Sequence, residues 1–472
     1  MQFRPGRSLA LAVALAGPAA LHAQGFGLNE IGSCAVSRAS ATTGAPCEDA
    51  SAIFWNPAAG TRLQKGISVY GGLASIQVAG GYTPDFTSTG KEYRPNIPTA
   101  FPPHLFINWK GASRFAAGLG VYVPYGLTSQ WNEDFPGRFS AKRASIATIY
   151  VQPNLSIDLT PEWAIGGGPI IGHSKVQLSQ SLDLSQQKLP SPAGATFANL
   201  GIAPGSEFGR AFLEGTAMGY GFHVGVHGKI GTSLQVGARY MSSIEFKYDD
   251  ADARFVQLAT GLIVPDASTG AALGGVPAGT PYDLILAPQF RTGGALVDQK
   301  VKTKITHPGQ FEAGVGYTAP TGTLLSFDYG YILWSKFDEL PVSFQGPASG
   351  NSRSLIEDYH NSASYRLGLE QKFPGYWNAA LRAGFSLTQT PAPDETVTPL
   401  LPDMDRRNFA LGLGLPFGGR YALDLGYLHV DTKGRRGRIV ERTSYSQTAD
   451  QLNTGFYRLN ANILSLSLKA SL

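Results

Sequence analysis

The sequence predicts an all-β chain: a 14-stranded antiparallel transmembrane β-barrel with an N-terminal hatch, or plug, in its lumen. Three observations carry that expectation. From Lys65 to the C-terminus, apolar and polar residues alternate with a period of two. The connections between the alternating runs are short and long in strict turn. The stretch Gly25–Thr61 shares neither property; it is rich in Gly, Ala and Ser and holds both cysteines.

Taken in order, residues 1–23 read as an export signal. Arg4 and Arg7 precede an apolar run from Leu9 to Leu21, and Ala23 closes a cleavage site. The run falls short of the ~20 apolar residues that span a bilayer. Residues 24–64 form the expected hatch and residues 65–472 the barrel. Cys34 and Cys47 are an even pair in an exported chain, which favours a disulfide over a metal pair or two free thiols. Closing a loop of that length contributes ~3 kcal/mol in the chain-entropy model.

Beyond the hatch, Ala379, Leu381, Ala383, Phe385 and Leu387 alternate with Asn378, Ala380, Arg382, Gly384 and Ser386. Leu464, Leu466 and Leu468 alternate with Ser465, Ser467 and Lys469. A soluble sandwich alternates in the same way, so the connections decide more. Six tight ones carry turn chemistry: Lys110–Ser113, Leu159–Glu162, Lys229–Thr232, Ala319–Gly322, Pro374–Tyr376 and Pro416–Gly419. Seven long ones lie near 80–100, 126–144, 179–213, 251–299, 336–354, 389–405 and 431–456. Thirteen connections imply fourteen strands, with short turns at one rim and long extracellular loops at the other. Trp109, Trp163 and Trp377 flank short turns, where an aromatic girdle meets the membrane interface. The loops 179–213 and 251–299 hold too many apolar residues for disordered segments. They are expected to pack on each other as a lid, to offer an apolar landing groove, or both.

Composition narrows the class. Without Arg4 and Arg7 the formal charge falls from +4 to +2, which is no nucleic-acid footprint. Charged residues make up 15% of the chain, well below the ~25% of soluble domains. A barrel enzyme needs a nucleophile beside a base, yet no histidine accompanies a G-x-S-x-G motif. His223 and His227 sit at i,i+4 on one side of a strand and read as lumen-facing polar residues rather than metal ligands. No catalytic residue, metal site or cofactor is expected.

Four stretches together resemble the outer-membrane hydrocarbon transporters of the FadL/TodX type. They are Gly25–Glu30; Asp49–Ala58, ending in Asn56-Pro57-Ala58; Gly118–Leu127 with Asp134–Arg138; and Pro391–Asp394 with Leu401–Arg406. The resemblance implies passive uptake of long-chain fatty acids or aromatic hydrocarbons across a bacterial outer membrane. It implies a ligand site lined by the hatch, with Phe26, Leu28, Phe54, Asn56, Pro57 and Ala58 as candidates. It also implies a lateral opening where the third strand kinks, at Pro124-Tyr125-Gly126. Pro cannot donate to a ladder and Gly weakens one, so both suit a break. Basic residues that would meet a carboxylate fall at His173 and Lys175, while a second family lysine is replaced by Ser362. The expected partners are a hydrophobic small molecule and outer-membrane lipid, with the barrel a monomer. The competing readings are a non-specific diffusion porin and an outer-membrane lipid hydrolase.

Overall fold

The computed structural model of the chain describes residues 25–85, 90–189, 195–437 and 454–472; the expected export signal at 1–23 lies outside the described residues. The fold is a closed antiparallel barrel of fourteen strands. They are β1 Gly66–Pro84, β2 Pro103–Lys110, β3 Phe115–Gln130, β4 Arg143–Asp158, β5 Trp163–Asp183 and β6 Glu207–Ile230. β7 runs through Leu234–Met241 and Ile244–Gln257, and β8 through Gln299–His307 and Gln310–Thr318. β9 comprises Thr323–Ile332 and Glu339–Phe344, and β10 Arg353–Ile356 and Ser362–Phe373. β11 Ala379–Thr388, β12 Arg406–Phe417, β13 Tyr421–Thr432 with Arg435–Gly437, and β14 Gly455–Ser471 complete the wall. Closure runs from Ser68↔Ser471 to Pro84↔Gly455 between β1 and β14.

Burial separates this barrel from a soluble sandwich. On β14 the apolar set is exposed, Leu464, Leu466 and Leu468 at 57, 46 and 47%, while Ser465 and Ser467 are buried. The alternation is therefore apolar-out and polar-in, as a lipid-facing wall requires. Short connections close one rim at 111–114, 159–162, 231–233, 319–322, 374–378 and 418–420. Trp109, Trp163 and Trp377 are exposed at that rim, whereas Trp55, Trp131 and Trp334 are buried within. At the other rim, the described residues 184–189 and 195–206 pack on 258–298 through Phe197 against Tyr282 (5.8 Å), with Phe208 of β6 against Phe290 (6.0 Å).

Residues 25–63 occupy the lumen, with two short helices, α1 Ser33–Ser37 and α2 Ala52–Trp55. Cys34 and Cys47 form the disulfide. Inward glycines make room for this segment: a Cβ at Gly166 would lie 2.3 Å from the Pro57 carbonyl oxygen, and one at Gly384 2.3 Å from the Arg38 carbonyl carbon. Charge holds it in place. Glu312 accepts from Arg239 Nε (3.0 Å), Arg366 Nη1 (2.9 Å) and Thr43 Oγ1 (2.9 Å). Arg239 in turn donates to the Phe54 carbonyl at 2.8 Å.

Candidate functional site

The third strand is irregular at Val123-Pro124, which overlaps the expected Pro124-Tyr125-Gly126 at Pro124 and leaves Tyr125 and Gly126 in regular pairing with β4. β3 and β4 pair as Tyr122↔Tyr150 and next as Tyr125↔Thr148, so β3 carries one extra residue across Val123-Pro124. β2 offers no partner above this level, because its last pair with β3 is His104↔Tyr122. Pro95, Pro98, Pro102 and Pro103 explain why β2 begins so late: none can donate to a ladder. The freed edge of β3 is taken by the amino-terminal segment. Leu28 N–H donates to the Pro124 carbonyl (2.8 Å), and Gly126 N–H donates to the Phe26 carbonyl (3.1 Å).

Phe26 anchors that added strand inside the lumen. Its ring meets Trp334 (4.9 Å), Phe337 (5.4 Å), His307 (5.7 Å) and Tyr125 (5.8 Å). Gly25 is clamped by its backbone. Its N–H donates to Asp403 Oδ2 (3.0 Å), and its carbonyl accepts from Arg406 Nη2 (3.1 Å).

A cavity of about 440 Å³ opens beside this segment. Phe26, Leu28, Gly126 and Trp131 line it from the lumen, and Phe101 and Ile149, 61 and 46% exposed, line it from outside. The space lies beside the break and has both buried and exposed residues in its lining. Its size falls within the ~300–1,000 Å³ of small-molecule sites. Its charged lining residues are Glu30, Asp403 and Arg406, and Arg406 already pairs with Asp403 at 3.0 Å. Burial pushes the Glu30 carboxyl above its usual range, against the pull of Arg406.

The expected site residues divide. Phe26, Leu28 and Gly126 line the cavity. Tyr125 backs it, its hydroxyl donating to the Pro308 carbonyl (3.2 Å) and accepting from Gln310 Nε2 (2.9 Å). Phe54, Asn56, Pro57 and Ala58 are not among the cavity's lining; they belong to the hatch seat. Phe54 packs against Tyr122 (4.7 Å) beneath the Arg239 guanidinium (4.5 Å). Asn56 Nδ2 donates to the Thr43 and Val226 carbonyls, and its Oδ1 accepts from Ala58 N–H. His173 and Lys175 correct the sequence reading. Both are exposed on the outer face of β5, and Lys175 pairs with Glu214 at 2.5 Å. The inward positions there are Gly172, Ser174 and Val176, one step away in the period-2 pattern. His223 and His227 face the lumen, buried on either side of Gly225. Sequence reasoning missed Phe101, Trp131 and Met404 as lining residues, although the proline run before β2 marked a gap in the wall.

A family model described as outer membrane protein transport protein (OMPP1/FadL/TodX) matches residues 13–471. The chain is 26% identical over 435 residues to the long-chain fatty acid transport protein of Escherichia coli O6:H1, covering 89% of this chain and 90% of that one. Among solved structures, a Pseudomonas aeruginosa FadL homologue superposes with a TM-score of 0.72 at 22% identity, covering 95% of this chain and all of the other. The Pseudomonas putida toluene transporter TodX gives 0.64 at 16% identity, covering 92 and 98%.

Proposed function

The chain belongs to the OMPP1/FadL/TodX family of outer membrane transport proteins, and from that membership we propose that it imports hydrophobic small molecules passively by lateral release through the β3 break. This is a family of outer-membrane transporters and not of enzymes. The observation that carries the proposal is the cavity bounded by Phe26 and Leu28 within and by Phe101 and Ile149 on the lipid side. A guest there passes from an apolar pocket to the membrane without entering bulk water. Each buried CH₂ contributes ~0.8 kcal/mol, so a hydrocarbon chain binds through area alone. Release follows when Phe26 and Leu28 withdraw, because they supply both lining surface and the strand that fills the freed edge of β3.

The charges of the lining favour an uncharged guest. Arg406 is engaged by Asp403 and by the Gly25 carbonyl, and the remaining charged residue, Glu30, is an acid. Among the described residues, a carboxylate would meet no free cation there. Equilibrium binding to the purified barrel tests this with a long-chain fatty acid and an uncharged hydrocarbon of equal chain length. The hydrocarbon is expected to bind at least as tightly. A fatty acid favoured by more than about tenfold would overturn the neutral preference. Binding of neither above a porin control would overturn the transport reading.

A further inference from the structure

The outer wall carries a cluster of lysines that transport does not use. On the first segment of β8, Lys300, Lys302 and Lys304 are exposed, while Val301, Thr303 and Ile305 between them are buried. Lys304 lies directly across the strand pair from Lys247 of β7. Like charges directly opposed on one face of a sheet destabilise it unless something neutralises them.

The neutralisation available within the chain is incomplete. Lys300 is satisfied by Asp252 (2.8 Å) and Asp250 (3.6 Å), and Lys247 by Glu245 (3.1 Å) on its own strand. Asp249 stands exposed at the bulge between Tyr248 and Ala251, and Arg254 is exposed higher on the same strand. Among the described residues, no ion pair reaches Lys302 or Lys304. On the neighbouring strands, Ser343 of β9 faces Lys302, and the Lys175–Glu214 pair of β5 and β6 is closed on itself.

Height along the wall identifies what lies opposite these ammoniums. Lys304 is thirteen positions from Tyr317, which is exposed at the short-turn rim. At ~3.3 Å per residue and a tilt of ~40°, that places it roughly 30 Å above the rim, just past an apolar belt about 25 Å tall. Phe311, Met218 and Tyr220 lie exposed on the outer face below it, where acyl chains run. The cluster therefore stands at the level of the outer-leaflet headgroups. We propose that Lys302 and Lys304, the latter facing Lys247 across the strand pair, form a docking site for the phosphate groups of a phosphorylated lipid of the outer leaflet. The phosphate supplies the negative charge that the strand pair lacks, and the exposed apolar residues below receive the lipid tails.

The test uses the delipidated, purified full barrel in detergent. It compares a bisphosphorylated lipid A with the same lipid after enzymatic removal of its phosphates, by native mass spectrometry and by thermal unfolding. The phosphorylated form is expected to bind more tightly and to raise the melting temperature. K302Q/K304Q should weaken that binding by about thirtyfold, roughly fivefold per ammonium. K300Q, whose lysine already has acidic partners, should bind as the native barrel does. The gel shift between folded and heat-denatured barrel verifies that each variant is folded. Equal binding of the two lipids, or undiminished binding by folded K302Q/K304Q, would overturn the proposal.

Discussion

Removing the Glu312 carboxylate should loosen the hatch more than any single apolar truncation within it. Glu312 is buried and neutralises two buried guanidiniums, Arg239 and Arg366, while also accepting from Thr43 of the hatch. Arg239 lies over Phe54 and holds its carbonyl, so strand charge and hatch backbone form one network. In E312A both guanidiniums lose their acid in a place water does not reach. Breaking a buried ion pair from one side costs about 3–5 kcal/mol, so the variant is expected to unfold at correspondingly lower denaturant. The triple variant R239M/E312A/R366M removes the charges together and should recover most of that loss, since apolar replacement of a whole buried triad is often neutral. Equilibrium unfolding in urea, followed by tryptophan fluorescence, reads both, because Trp55 sits beside Arg239. A loss below ~1 kcal/mol for E312A, or a triple variant weaker than the single one, would refute the account.

Three further outcomes follow. Deleting Pro124 removes the extra residue between the Tyr122 and Tyr125 pairings, so uptake of a hydrophobic probe into cells should stop while the barrel still folds; unchanged uptake would refute lateral release at this point. Replacing Cys34 and Cys47 with serine should lower stability by about 3 kcal/mol, read from urea midpoints, with no effect if the loop entropy is offset elsewhere. Burial, with Asp424 nearby, raises the Asp49 carboxyl to about 6, so the folded barrel holds that proton more tightly than the unfolded chain does. The stabilisation is full below the unfolded value near 3.8 and is lost as pH rises through about 6. D49N, which still accepts from Ser51, should therefore raise stability at pH 8 and leave it nearly unchanged below pH 4; unfolding midpoints across that range check it.

The strand count was legible because outward residues face lipid and inward ones face a polar lumen, so each crossing carries its own period. Where the wall rises above the membrane that contrast fades. β5 and β6 run on to Asp183 and from Glu207, whereas the sequence predicts a loop over 179–213. Gln177, Ser179 and Ser181 line one face there, but Gln180 interrupts the apolar set of Leu178 and Leu182 on the other, and burial is intermediate on both faces from Gln177 to Gln180. The break at Pro124 was legible from local chemistry. The misplaced pair, His173 and Lys175, shows how a single step of parity exchanges lumen for lipid. The role of Asn56 was illegible for another reason: its partner Val226 is 170 residues away, and nothing nearby in sequence marks it.

The seating of α1 against the last strand bears on how the molecule is assembled. Ser33 Oγ lies 2.7 Å from both Ser465 Oγ and Ser467 Oγ, across separations of 432 and 434 residues. Those serines belong to β14, which also closes the barrel against β1. A plug stapled into a compact knot does not thread sideways through a completed hydrogen-bonded wall. The first part of the chain to be made must therefore wait, already folded back, until the last strand arrives, and the zipping of β14 onto β1 seals both at once. Contacts of such sequence separation are slow to form, so the seating of α1 against β14 belongs to the late part of folding.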